Sequence, residues 1–573
     1  MKKVLFGAGA LLLVAGVGYY LMKPGAPGAG HSALSVAGGP LDYVPADSAF
    51  VLANVEPMPK AVTEAWMKQF ASVGGIYAMQ ARMLEKELAE EGADGKGLNW
   101  VRALAAELKD RTAEQLMAEL GIDLQMRYAV YAVGAHPVVR FELADPDKTR
   151  AFVARIEQKA GEKMPGAKID SLEYWNFVAA GEEGGRMVAA IDGSQLVFGL
   201  LGEGGDDAAL RDVLGLNRPK QSIAAAGTLV QLNQEFGYTP YSSGYVDTRR
   251  LIALVDDAKP APDAPQAAEL KATCEKDYDA IAKAVPRFVF GYSKFEAKSM
   301  QANMLLELRP DIAKDLQPLP APMPGLGATA GSALNFGFSM NLEALANFVN
   351  KQADAVIAAP YACPALVDLN DGAKKAKEQF SNPMLYATAA AFNAVHVIAT
   401  RFKMPQVGVE AAPSEPEFAG KLLIGSRSPT GLIGMLGGFA PQIAALQLQP
   451  NGELKELPAD PSMPVKGPMH AVMTDSAIGV SVGEGESATL KDALAVDAGG
   501  KTILAFGYGG AFFETIFAAA AADMAKSDDA DAAELRKSME AMQKIYAESI
   551  DRIDMQVRTG DRGIEFVQDV RLK

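Results

Sequence analysis

Histidine is nearly missing from this chain. Only His31, His136, His396 and His470 occur among 573 residues, and no two stand at metal-ligand spacing. HExxH, CxxC and EF-hand patterns are absent, so no metal is called for. GxSxG, SxxK, Walker and strand-linked GxGxxG motifs are absent too, which removes the familiar nucleophile–base and dinucleotide-cofactor signatures. GEGGDD and GEGESA at strand-to-helix junctions imitate phosphate loops, but their carboxylates would repel phosphate, and they read as tight turns. Clustered lysine and arginine are also lacking. With a net charge of −15 and a pI near 5.0, the chain has no basic face for a nucleic-acid backbone, so no nucleic-acid partner is expected. Cysteine occurs twice, at Cys274 and Cys363.

What is present begins with a membrane signal. Met1-Lys2-Lys3 precedes an uncharged stretch, Val4 to Met22, followed by Lys23 and PGAPGAG. Nineteen helical residues span about 28 Å, close to a bilayer's hydrocarbon thickness. Tyr19 and Tyr20 occupy the interfacial end, and the N-terminal lysines favour an N-inside orientation. Residues 1–30 therefore read as an uncleaved signal anchor with a short linker, or alternatively as a cleaved signal peptide. Either reading sends the rest of the chain to the non-cytoplasmic side.

At 573 residues the chain exceeds one hydrophobic core. Internal similarity suggests how it divides. AAELKATCEKDYDAIAKAVPRF from Ala267 is echoed by AAELRKSMEAMQKIYAESIDRI from Ala532, and both run into paired strand patterns. Upstream, FELADP and LLIGSRSP each lead a strand through a capping residue and a proline into a helix. MVAAIDGSQLVFG and HAVMTDSAIGVSV form matched hairpins, each followed by a short helix, AALRDVL and ATLKDAL. SAFVLANVEP at Ser48 and SALNFGFSMN at Ser332 open the two series. The order predicts two divergent tandem copies of one module, residues 44–309 and 328–573, joined by a proline-rich spacer over 310–327. Strand pairs without crossover helices imply an α+β fold, each copy an antiparallel sheet with helices mainly on one side. HPVVRFEL alternates, placing His136, Val138, Arg140 and Glu142 on one face, which reads as a solvated strand face.

VPADSAFVLANVEP after a membrane signal, with FELADP and GYVDTRR downstream, resembles a family of uncharacterised cell-envelope proteins of Gram-negative bacteria. The resemblance implies a periplasmic location and brings no catalytic residues. An oxidising compartment and an even cysteine count favour a Cys274–Cys363 bridge, whose 89-residue separation would be worth about 3–5 kcal/mol. Two buried free thiols are the alternative, since Met539 stands at the counterpart of Cys274.

The two copies differ most in one helix. PTGLIGMLGGFAPQIAAL of copy two carries no charge, whereas its counterpart in copy one carries Lys148, Arg150, Arg155, Glu157 and Lys159. Leu432, Ile433, Met435, Leu436 and Phe439, with Phe512, Phe513 and Phe517 of GYGGAFFETIF, are therefore the candidate binding residues. The expected function is non-enzymatic: a periplasmic binding or scaffold protein. It would be held to the inner membrane through residues 4–22 and engage a protein partner or an apolar, lipid-like ligand through copy two. A hydrolase lacking any recognisable motif and a purely structural envelope protein are the alternatives.

Overall fold

The computed structural model describes residues 39–69, 95–108, 111–178, 185–202, 205–257, 266–382, 392–403, 417–437, 445–458, 467–495, 500–510 and 546–573, with isolated positions between. The expected membrane segment at 4–22 lies outside them. Among the described residues no helix is long and apolar enough to cross a membrane. The fold is α+β, and the named strand pairs are antiparallel.

The chain forms two compact units that are not contiguous in sequence. Unit one holds residues 1–260 and 288–303, and unit two holds 261–287 and 304–573. Unit one contains strands β1 (Phe50–Ala53), β2 (Tyr128–Val133), β3 (His136–Glu142), β4 (Gly166–Ile169), β5 (Leu172–Val178), β6 (Arg186–Asp192), β7 (Gln195–Leu201) and β8 (Ser243–Asp247). They pair in the order β8–β1–β2–β3–β7–β6–β5–β4. The hairpin of β9 (Arg287–Glu296) and β10 (Ser299–Glu307) then carries the chain across the division.

Helices cover both faces of unit one, not mainly one as the strand pairs without crossover helices suggested. On one face Leu52, Val130, Val139 and Phe198 are successive cross-strand neighbours. They pack against Leu104 and Leu108 of α1 (Gly95–Leu108) and Phe152 and Ile156 of α2 (Pro146–Ala160). Asp145 starts α2 by accepting from the backbone amides of Asp147 and Lys148, with Pro146 in the first turn, as its sequence dictates. Glu107 of α1 is buried against Lys159 at 2.6 Å and Arg111 at 2.9 Å. Burial pushes its carboxyl upward, but the Lys159 hydrogen bond and the Arg111 and Arg155 charges outweigh that and hold it below the ordinary carboxylate value.

On the other face α3 (Asp207–Leu214) lies so close that a Cβ at Gly199 would fall 2.0 Å from the Val213 side chain. The physical reason for two covers is that β6 is buried at five successive positions, so both its faces need one. The His136–Glu142 face is accordingly not solvated. Val138 and Arg140 are wholly buried, with the Arg140 guanidinium 3.6 Å from the Tyr43 ring centre and donating to the Leu214 carbonyl.

Unit two begins with α4 (Gln266–Ala284) and α5 (Pro310–Leu316). Its strands are β11 (Leu334–Ser339), β12 (Ala394–Lys403), β13 (Glu417–Gly425), β14 (Lys455–Leu457), β15 (Met469–Met473), β16 (Ala477–Val482), β17 (Thr502–Gly509), β18 (Ile550–Gly560) and β19 (Gly563–Leu572). The ladder runs β19–β18–β17–β11–β12–β13–β16–β15–β14. From β17 onward this is the order seen from β8 onward in unit one. The segment read as a spacer is no spacer: α5, Leu319, Ala321 and Met323 are packed, and Leu316 and Leu319 share a core with Leu345 and Phe348. Its apolar residues recur at helical spacing between the prolines, which gives it something to bury.

Leu345 and Phe348 lie on α6 (Leu342–Ala358), which forms a hairpin with α7 (Val367–Phe380). The turn of this hairpin is bound to α4 twice. Cys363 and Cys274 form a disulfide with a Cα separation of 4.6 Å, and Asp277 Oδ2 accepts the amides of Ala362 and Cys363, each at 2.7 Å. Both cysteines belong to unit two, although they were assigned to different modules from sequence.

All three tryptophans, Trp66, Trp100 and Trp175, lie in unit one, so their fluorescence reports that unit alone. Reduction, or Cys274→Ser with Cys363→Ser, is expected to cost unit two about 3–5 kcal/mol. In urea titrations the far-ultraviolet dichroism transition should move to lower denaturant while the tryptophan transition stays in place.

Candidate functional site

In antiparallel pairs directly opposed residues share a face, so the registers can be read across unit two as lateral rows. One row crosses all nine strands: Glu456, His470, Ser481, Lys421, Ile398, Asn335, Gly507, Asp554 and Asp569. Seven of the nine positions carry polar or ionisable side chains, and the stretch from Ser481 to Asn335 is buried. This inner face also carries Ile398 and Leu423, which pack with Leu490 and Leu494 of α9 (Leu490–Ala495) and its flank.

The buried charges of this face are met. Lys421 Nζ lies 2.5 Å from Glu486 Oε2, with both side chains about one-tenth exposed or less, and Thr400 also donates to Glu486. Arg552 reaches Ser332 O at 2.9 Å and Ser332 Oγ at 3.0 Å. Its Nε donates to Asp554 at 2.8 Å and its Nη2 to Asn335 Oδ1. Gly507 sits in the middle because a Cβ there would fall within 2.6 Å of Asp554, Asn335 and Arg552 atoms. The Asn335 amide faces His396 Nε2 at 3.4 Å, while His396 Nδ1 lies 2.9 Å from Pro324 O. A carbonyl only accepts, so Nδ1 carries the proton and Nε2 is the acceptor. Burial lowers the His396 pKa, the Pro324 hydrogen bond opposes this, and the Arg552 charge adds to the lowering. Ser481 is wholly buried and Lys421 is committed to Glu486, so neither of these two offers a nucleophile at the surface.

The outer face is the opposite in character. Val480, Leu422, Val397, Phe336, Phe506 and Met555 form one row across it. Ile478, Ile424, Val395, Phe338, Leu504, Val557 and Phe566 form the next, and neither stretch holds a charge; the first meets one, Lys455, only at the edge strand β14. Phe336 is 45 % exposed, Phe338 38 %, Leu422 37 % and Phe566 37 %. Two structures flank the exposed part. On one side α8 (Pro429–Gly437) packs Leu432 against Met473 and Ile478, beside Ile424 and Val480. On the other, Tyr508 lies between Phe506 at 5.3 Å and Phe512 at 5.6 Å, and Phe402 meets Phe512 at 6.5 Å. The result is a charge-free apolar floor between α8 and an aromatic cluster.

Of the eight residues singled out from sequence, the structure describes the side chains of four, Leu432, Ile433, Met435 and Phe512. Leu432 is a core residue at 3 % exposure, and Ile433 is half-buried against the same core. Met435 is exposed, and Phe512 belongs to the aromatic cluster. The Leu436 side chain, Phe439, Phe513 and Phe517 lie outside the described residues. The floor itself was missed. NFGFSM alternates as any half-buried strand does, and with Asn335 and Ser339 between them the phenylalanines would be read as the inward face, the reverse of the arrangement found.

Two outcomes follow from the inner face. Lys421→Met should cost about 3–5 kcal/mol by stranding Glu486. Adding Glu486→Leu should restore at least half of that loss, measured by urea unfolding of the dichroism transition. His396 has a folded-state pKa below its unfolded value near 6.5, so the unfolded chain takes up the proton first. Stability should be level above that value and fall as pH drops through it, and His396→Gln should remove this part of the fall between pH 7.5 and 5.5. The comparisons find no family model, no curated protein and no solved structure that matches the chain.

Proposed function

We propose that the protein is a non-enzymatic binding protein of the cell envelope that holds an apolar partner on the outer face of unit two. The observation that carries this reading is the exposure of Phe336, Phe338 and Leu422 on a floor with no charge. Single exposed apolar residues are ordinary on a protein surface, but contiguous ones spanning neighbouring strands mark interaction sites. Support for a division of labour comes from the shared ladder order, which we read as two divergent copies of one module. In the first copy the equivalent row of Leu52, Val130, Val139 and Phe198 is packed against the unit's own helices. In the second, among the described residues, Val480 packs beside α8 while Phe336 and Leu422 are exposed. The charge-free stretch from Val4 to Met22 supports an inner-membrane anchor, or a cleaved signal, with the units in the periplasm.

The test uses a neutral environment-sensitive dye, N-phenyl-1-naphthylamine, with the purified chain lacking residues 1–30. Saturable fluorescence enhancement is expected, with Phe336→Asp plus Leu422→Asp weakening binding at least tenfold at an unchanged urea midpoint. Equal dye binding by the double variant would remove this face from the function.

A further inference from the structure

Resting on the binding role of that face, the structure assigns its occupant, we infer, as an amphipathic α-helix of a partner protein. Unit one supplies the reason. There the row Leu52–Val130–Val139–Phe198 occupies the register that Phe336–Val397–Leu422–Val480 occupies in unit two. What lies on it in unit one is helical: α1, presenting Trp100, Ala103, Leu104 and Leu108, together with α2. Those four positions follow the spacing of a single helix stripe. The sheet surface is therefore one on which this ladder takes a helix.

In unit two the described helices in the corresponding place, α6 and α7 between β11 and β12, are used elsewhere. Leu345 and Phe348 of α6 are buried with α5, and the turn between α6 and α7 is tied to α4 by the Cys274–Cys363 disulfide and by Asp277. The exposed floor is also free of charge, which matches the apolar stripe of a helix. A helix satisfies its own backbone hydrogen bonds and brings no unpaired polar group onto such a surface, unlike an extended peptide. Occupation by a free acyl chain makes a different prediction and is separated by the same experiment.

The probe is a fluorescein-labelled peptide with the sequence of residues 95–108, GKGLNWVRALAAEL, titrated against the chain lacking residues 1–30. A saturable rise in anisotropy is expected, with displacement of N-phenyl-1-naphthylamine and a gain of peptide helicity. Phe336→Asp with Leu422→Asp should weaken peptide binding at least tenfold, and a scrambled peptide without the stripe should not bind. Peptide binding that is insensitive to those substitutions would place it outside unit two and overturn the inference. If the dye binds but palmitate displaces it and the peptide does not, the occupant is a lipid chain: the inference falls while the binding role stands. Failure of the dye itself would instead bring down the binding role.

Discussion

A guanidinium and an ammonium under the sheet of unit two decide which way its strands face. Arg552 is met by Ser332, Asn335 and Asp554, and Lys421 by Glu486, which also accepts from Thr400. Buried charges are tolerated only when so paired, because an uncompensated one costs several kcal/mol. Side chains alternate along a strand, so slipping any of these strands by one residue would turn its charge to the other face and break the set. The registers are locked by that penalty. Once Asn335, His396 and Lys421 point inward, Phe336, Val397 and Leu422 have no choice but to point outward. The open apolar floor is thus the far side of a layer whose buried charges, Lys421 and Arg552, are paired.

The second constraint concerns who covers what. Unit one closes its sheet with α1 and α2, and a buried carboxylate, Glu107, joins the two helices through Lys159. Unit two sends α6 to a core built around α5 and ties its end to α4. The tie combines a covalent bond with two amide hydrogen bonds to one buried carboxylate, so it restrains both the position and the orientation of the turn. Two units with one ladder order therefore differ in what covers the same rows.

Much of the local structure was legible. Asp145-Pro146 and Ser428-Pro429 mark helix starts, and the paired strand patterns after Arg287 and Arg552 form hairpins. These depend on turn chemistry, capping and period, which act over a few residues. Other readings failed where the deciding partner is distant in sequence. Arg140 looked solvated because its strand alternates, yet Tyr43 and the Leu214 carbonyl enclose it. The prolines of 310–327 suggested a spacer, yet Leu319 and Met323 are buried.

By itself the sequence determined element types, the two series of strands, the acidity of the chain and the apolar N-terminal stretch. Each is a property of composition or of neighbours within a turn or two. Only the tertiary structure decided that α4 belongs with the second unit, that helices cover both faces of the first, and that Phe336, Phe338 and Leu422 face outward. Alternation tells that a strand has two faces. Which of them is buried depends on what packs there, and here that is settled by residues as far apart as Ser332 and Arg552.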